Sequence, residues 1–293
     1  MTKKYGIFFN ANAGDGKAKQ VAQRLAISLS GQNIQSAFIT GKDIDDAISA
    51  IKKASNEVDA IIVIGGDGTL NLVATAFLQG GKTVPVGLIP SGTVNNFAKT
   101  AKIPNDEKSA VNIILKGRTR AFNIGSCGDD KAIISSLTFG SLADLSNDVR
   151  QEDKRKWGKI VYFWQAMKNL NKSGSQQIEF KSDSFQADYK IWMCLITTSR
   201  NVGGHKYIDQ PLRGLHATIL HNMSLLKSPS YFYFALTGNI RGSESLTYFE
   251  LRDMMITSKH ANHPVQTRID GDPGPKLPIQ LLWHKDFLQV FTD

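Results

Sequence analysis

Val58-Asp59-Ala60-Ile61-Ile62-Val63-Ile64-Gly65-Gly66-Asp67-Gly68-Thr69-Leu70-Asn71 decides the fold. Its first half is a continuous apolar run, with β-branched residues in succession from Ile61 to Val63. Such a run predicts a strand buried on both faces, as in a parallel sheet covered by helices. The run stops at Gly65-Gly66-Asp67-Gly68, and a helical apolar pattern follows through Leu72, Val73, Ala76 and Phe77. A buried strand, a glycine turn and a helix start together make a phosphate cradle. Glycines let backbone N–H groups approach an anion with no Cβ in the way. The helix presents its positive N-terminal end to the same anion. Thr69 is placed either to cap that helix or to bond a phosphate oxygen. Asp67 sets a carboxylate beside the phosphates, which calls for a cation between them, most simply Mg²⁺. The plainer alternative is a tight strand-to-helix turn with a capping Asp.

The same pattern recurs on either side. Residues 4–9 read as a first strand, followed by the polar loop Asn10-Ala11-Asn12-Ala13-Gly14-Asp15-Gly16-Lys17 and a helix through Val21, Leu25, Ile27 and Leu29. This loop is neither a Walker A loop nor a Gly-x-Gly-x-x-Gly fingerprint, because its glycine spacing differs from both. A strand at 34–39 ends at Thr40-Gly41, and a helix is expected over 43–54. After a helix at 69–79, Val84 to Ile89 forms another buried strand that ends in Pro90-Ser91-Gly92-Thr93-Val94-Asn95-Asn96-Phe97-Ala98. A helix at 106–116 closes the region. Alternating strands and helices with short loops predict a parallel sheet with helices on both faces. Ligands of such sheets bind at the carboxyl ends of the strands, where Asn10, Thr40, Gly66 and Thr93 all fall.

Beyond about residue 119 the texture changes to runs of strands with hairpin-like turns. The expected strands are 120–124, 131–137, 175–181, 186–198, 216–221, 244–257, 265–269, 277–283 and 286–291, with helices at 156–170 and 229–240. This predicts an antiparallel β-sandwich following the α/β half. The domain boundary is expected near 122, giving a nucleotide-binding domain over 1–122 and a β-rich substrate domain over 123–293. In the second half Arg268-Ile269-Asp270-Gly271-Asp272-Pro273-Gly274 places two carboxylates around a glycine at a strand end. Read plainly, it is a type I or II turn. Read chemically, Asp270 or Asp272 is a general base whose pKa its neighbour could raise.

Composition narrows the function classes. The net charge of +9 favours anionic partners such as a nucleotide or an acidic membrane surface. Basic residues are dispersed, with no interleaved stacking motif, which argues against nucleic acid. Arg150, Lys154, Arg155, Lys156 and Lys159 do cluster around Trp157, either as a solvated helix start or as an anionic-lipid contact. Tyr231-Phe232-Tyr233-Phe234 reads as helix core packing or as the lining of a lipid pocket. Cys127 and Cys194 show no metal or redox spacing, and neither do the histidines. No leader-like apolar segment and no bilayer-length run is present, so a cytoplasmic protein, peripheral to the membrane, is expected.

Taken in order, the glycine turns and the late Asp-Gly-Asp resemble the diacylglycerol kinase catalytic-domain family, which includes soluble bacterial lipid kinases and sphingosine kinases. Gly65-Gly66-Asp67-Gly68-Thr69 is similar to the family's GGDGT, a motif related to that of NAD kinases and phosphofructokinases. Pro90 to Ala98 resembles its PxGTxNDFA segment, Asn10 to Gly14 its NPxSG loop, and Asp270-Gly271-Asp272 its DGE/DGD turn. Ala11, Leu72 and Asn96 stand where the family often has Pro, Glu and Asp. The stretch Gln210 to His216 carries Arg213 and His216 where carboxylates for a structural Mg²⁺ are usual.

The resemblance implies an ATP- and Mg²⁺-dependent kinase acting on a lipid alcohol, most simply diacylglycerol. The implied nucleotide contacts are Asn10, Ala11, Asn12, Ala13, Gly14, Thr40, Gly65, Gly66, Asp67, Gly68, Thr69, Leu70, Asn71, Gly92, Thr93 and Asn96. Asp67 is the implied Mg²⁺ ligand, Asp270 or Asp272 the implied base, and an oligomer is compatible with the family. The alternatives are an NAD kinase, or a catalytically weak nucleotide- or lipid-binding regulator.

Overall fold

A computed structural model of the chain describes residues 2–10, 17–128, 130–141, 175–198, 201–202, 205–206, 213–221, 246–259 and 264–293. The chain divides into two compact units, Met1–Ser135 with His284–Asp293, and Ser136–Trp283. The first unit contains β1 (Lys4–Phe9), α1 (Lys17–Ser30), β2 (Gln35–Ile39), α2 (Ile44–Ser55), β3 (Ala60–Gly65), α3 (Asp67–Leu78), β4 (Val86–Pro90), α4 (Asn96–Ala101), α5 (Glu107–Lys116), β5 (Thr119–Cys127) and β6 (Lys131–Ile133). The second contains β7 (Ser136–Phe139), β8 (Gln176–Lys181), β9 (Gln186–Ile191), β10 (Met193–Thr197), β11 (Asn201–Val202), β12 (His205–Lys206), β13 (Leu215–Leu220), β14 (Leu246–Leu251), β15 (Asp253–Ser258), β16 (Gln266–Ile269) and β17 (Asp272–Lys276). The last strand, β18 (Ile279–Phe291), gives its first residues to the second unit and the rest to the first.

In the first unit the strands run in the order β2-β1-β3-β4-β18, and neighbours in this order pair in parallel. All six residues of β3 are buried, as the unbroken apolar run requires. Helix ends follow their residue chemistry. Asp43 caps α2 by accepting from Asp46 N–H at 2.8 Å, with Lys52 and Lys53 in the last turn. Asp106 caps α5 in the same way through Ser109 N–H, and Gly117 ends that helix at φ 70°. Arg24 on α1 grips Glu107 on α5 through two bonds of 2.8 and 2.6 Å. The order 2-1-3 reverses direction between β1 and β3, so the crevice of an open α/β sheet opens at those two strand ends.

Among the described residues the second unit has two larger antiparallel sheets beside the short β11–β12 pair, as the strand-rich texture predicts. One has the order β14-β13-β10-β7-β16-β17, and the other joins the first part of β18 to β15, β8 and β9. Aromatic rings bridge the two. Phe180 on β8 lies 6.4 Å from Phe139 on β7 and 5.5 Å, edge-on, from Phe249 on β14.

Several expectations change. The texture shift near 122 falls inside β5, and the first unit runs on to Ser135. β5 and β6 pair there, and the C-terminal residues return to lie beside β4. The segments 277–283 and 286–291 are one strand, while 186–198 and 244–257 each split into two. The short α4 and the proline-bearing β17 were not legible from periodicity. The expected helices at 156–170 and 229–240, the basic cluster around Trp157 and the run Tyr231–Phe234 lie outside the described residues. Among the described residues no helix is long and apolar enough to cross a membrane.

Candidate functional site

Register places the strand ends of the first unit level with one another. Phe8 pairs with Ile39, Phe9 with Ile64, and Gly65 with Pro90. Asn10, Thr40, Gly66 and Ser91 therefore follow their strands at one edge of the sheet. Asn10 and Thr40 are exposed there. Ala11, Asn12, Ala13 and Gly14 lie outside the described residues.

Two turns at this edge are packed back to back. A Cβ on Gly92 would stand 2.7 Å from the Gly66 Cα, and one on Gly66 would stand 3.0 Å from the Gly92 Cα. Both glycines are therefore needed for the backbones to approach this closely. Gly65 is equally constrained, because its Cβ would meet the Thr69 side chain at 2.3–2.8 Å. Ser91 N–H bonds Gly65 O at 3.0 Å and extends the β3–β4 ladder into the turns. Helix α3 starts at Asp67 with Gly66 as its N-cap, and among the described residues no side chain caps it. An open helix start of this kind can receive an anion. Thr69, expected either to cap this helix or to bond a phosphate oxygen, is not the cap: it sits inside the helix and packs on Gly65.

Asp67 reaches across to the second turn. Its Oδ2 accepts from Asn96 N–H at 2.8 Å and its Oδ1 from Phe97 N–H at 3.0 Å. The carboxylate thus caps α4 from a neighbouring element, which explains why six residues can hold a helix there. Asn95 adopts the left-handed conformation at φ 54° and donates from Nδ2 to Gly92 O at 2.9 Å. Its Oδ1 and that of Asn96 are buried without a hydrogen-bond partner. Gly92 and Thr93 are exposed beside them. Bare helix amides, glycines that admit no Cβ and two unsatisfied amide oxygens fit a polyphosphate nucleotide.

A divalent cation fits more narrowly. Among the described residues no group of three or more His, Cys, Asp or Glu side chains comes together. Asp67 brings a carboxylate to this edge, and each of its oxygens keeps a lone pair beyond its amide bond. Such a cation would thus be shared with phosphate oxygens, as Mg²⁺ usually is.

Leu70 and Asn71 serve the fold through their side chains. Leu70 is fully buried. Asn71 donates from Nδ2 to Ala132 O at 2.7 Å, Thr75 Oγ1 bonds Asn71 Oδ1, and Ala132 N–H bonds Thr75 Oγ1. This buried loop of bonds pins α3 to β6. Asn95, which the sequence left out of the candidate set, carries a signal only in hindsight: Asn tolerates positive φ.

In the second unit Asp270 and Gly271 form the two-residue hairpin between β16 and β17, with Ile269 opposite Asp272. Their φ values, 53° and 100°, mark a type I′ turn rather than the expected type I or II. Asp270 is held firmly. Its N–H donates to Ser136 O at 2.8 Å, and its Oδ1 accepts from Ser136 N–H at 2.9 Å. Asp272 is exposed on β17. In the Gln210–His216 stretch, His216 is buried and stacks on Tyr248.

Residues 4–127 match the diacylglycerol kinase catalytic domain. The whole chain aligns with the diacylglycerol kinase of Staphylococcus epidermidis at 26% identity, covering 100% of this chain and 93% of that protein. The Staphylococcus saprophyticus diacylglycerol kinase matches at 26% identity over 96% of its length. Among solved structures, a diacylglycerol kinase from Bacillus anthracis superposes with a TM-score of 0.73 at 15% identity, covering 100% of this chain and 97% of that one. An NAD kinase from Archaeoglobus fulgidus in complex with ATP superposes at 0.55 with 11% identity, covering 99% and 93%. At these identities the structural matches speak to fold alone. That fold is an α/β N-terminal unit followed by an antiparallel β unit.

Proposed function

We propose, from the premise that residues 4–127 belong to the diacylglycerol kinase catalytic domain family, that the chain is an ATP- and Mg²⁺-dependent lipid kinase. It transfers the γ-phosphoryl group to the hydroxyl of a lipid alcohol, with diacylglycerol the leading acceptor and phosphatidic acid its product.

The observation that carries this reading is the back-to-back contact of Gly66 and Gly92 beside the uncapped start of α3. Phosphoryl transfer depends on positioning and charge neutralisation more than on covalent help. The amides of Gly66–Thr69 would hold phosphate oxygens, and those of Asn10–Gly14 are assigned the same task. Thr40, Gly92, Thr93 and Asn96 would contact the rest of the nucleotide. Asp67 would hold Mg²⁺, which when bound neutralises charge building on the phosphates. Asp270 would take the proton from the lipid hydroxyl. Its carboxylate is already oriented by Ser136, whereas Asp272 is exposed. The net charge of +9 supports a passing contact with an anionic membrane surface, where such a lipid resides.

The experiment is a transfer assay with labelled ATP, Mg²⁺ and separate acceptors: diacylglycerol, other lipid alcohols, and NAD. Labelled phosphatidic acid is the expected product. Label on NAD alone would overturn the reading in favour of an NAD kinase. Nucleotide binding without transfer to any acceptor would leave a regulator.

A further inference from the structure

β2 ends the parallel sheet of the first unit, and among the described residues nothing pairs with its outer side. Two strands at sheet ends in the second unit are blunted. β17 carries Pro273 and Pro275, and β9 turns Gln186, Asp188 and Lys190 to solvent. β2 reads Gln-Ser-Ala-Phe-Ile, with no proline and no charge, and its Phe38 is 53% exposed. A strand left this open is a template for a further strand.

The backbone fixes how such a strand would lie. Gln35 N–H bonds Lys3 O, just before β1, at 2.8 Å. In a parallel ladder alternate residues turn to the same neighbour, so Gln35, Ala37 and Ile39 face β1. Ser36 and Phe38 hold both of their backbone groups outward. Ile34 N–H is already spent on Leu29 O at 3.0 Å. A second β2 laid antiparallel, with Ala37 opposite the partner's Ala37, lets Ser36 exchange both bonds with the partner's Phe38. The same register sets the exposed Phe38 ring over the partner's Ser36, a small side chain.

The helix beside this edge obeys the same twofold. α2 starts against the end of β2, where a Cβ on Gly41 would meet the Ala47 backbone at 2.4 Å. Asp45, Ser49 and Lys53 are exposed on α2 at intervals of one helical turn. Neither Asp45 nor Lys53 has an ion-pair partner among the described residues. Ser49 lies about 7 Å into α2, and Ala37 about 7 Å back from the end of β2. One twofold axis at that level serves both elements. Antiparallel α2 helices about it bring Asp45 to the partner's Lys53.

We propose that β2 and α2 form a self-complementary edge that docks a second copy of this chain, joining two parallel sheets into one. The occupant is this chain because the free amides, the fit of Phe38 on the partner's Ser36 and the Asp45 and Lys53 charges all close on one axis. The contact uses no residue of the proposed phosphate site, so it stands independently of the lipid-kinase reading.

Sedimentation velocity on the full chain tests it, with far-UV circular dichroism to show that each variant is folded. The wild type should form a dimer. Ser36→Pro removes an outward N–H and leaves the bonds to β1 in place, so it should raise the dimer dissociation constant at least about tenfold. Asp45→Lys is an exposed change and should do the same by repelling the partner's Lys53. Adding Lys53→Asp to Asp45→Lys re-creates each charge pair across the axis and should restore the wild-type constant. A wild type that stays monomeric at about 100 μM would overturn the proposal. So would an open-ended oligomer, or a dimer unmoved by both Ser36→Pro and Asp45→Lys.

Discussion

The carboxylate of Asp67 bonds the backbone nitrogen of Asn96 at 2.8 Å, joining two turns that are 29 residues apart in sequence. One side chain thereby serves both the architecture and the proposed cation, and the two services can be separated by substitution. Asp67→Ala should remove the cap of α4, lower stability by about 1–2 kcal/mol, and abolish transfer. Asp67→Asn keeps an acceptor oxygen and should regain most of the stability. Its kcat/KM should still fall by roughly a hundredfold or more. Thermal denaturation alongside the transfer assay reads both. Wild-type turnover in Asp67→Asn would remove the cation role.

The contact between Gly66 and Gly92 predicts a specific loss. Gly92→Ala drives a methyl group to 2.7 Å from the Gly66 Cα, so the two turns must part. The expected cost is about 1–3 kcal/mol of stability, with a KM for ATP raised at least about tenfold. Gly80→Ala is the control. Gly80 sits at φ 92° with nothing within 4 Å, so that change should cost about 1–2 kcal/mol and leave the KM for ATP alone.

Asp270→Asn tests the proposed base. The amide oxygen can still accept from Ser136 N–H, so the melting temperature should stay within about 2 °C of wild type. Transfer should drop by about a hundredfold or more while ATP binding is unchanged. Asp272→Ala, on the exposed side of the hairpin, is expected to retain most activity. The reverse ranking would move the base to Asp272.

Two histidines predict acid sensitivity. His216 and His284 both have pKa values held below 6.5, chiefly by burial, and His284 is also bonded to Ser126 Oγ at 2.8 Å. Their folded values lie below the unfolded one, so the unfolded chain takes up protons first. The stability they contribute is therefore intact above about pH 6.5 and is lost as pH falls below it. Melting temperature should decline from about pH 7 to pH 5, and His284→Gln should flatten part of that slope. A slope unchanged in His284→Gln would exclude that residue from the effect.

Much of the first unit was legible because its signals are local. The buried run Ile61–Ile64, the capping residues Asp43 and Asp106, and the glycine turns each state their element within a few residues. What was hidden depends on partners far along the chain. Nothing near Asp67 says that its carboxylate will hold the amides of Asn96 and Phe97. Nothing near Asn71 says that it will bond Ala132. The Asp270-Gly271 pair announces a hairpin, yet its anchoring to Ser136 spans 134 positions. The return of β18 to β4 was hidden for the same reason, since the sequence near 122 carries no mark of it.

That returning strand also bears on how the protein is made. β18 lies beside β4, with Val290 opposite Val86, although it follows the whole second unit in the chain. While the ribosome is still translating the second unit, β4 has no neighbour on that side, and the nascent first unit waits with a bare edge. It can complete its sheet only once β18 has left the exit tunnel. A cell overproducing this chain would thus be expected to depend on chaperones during that interval.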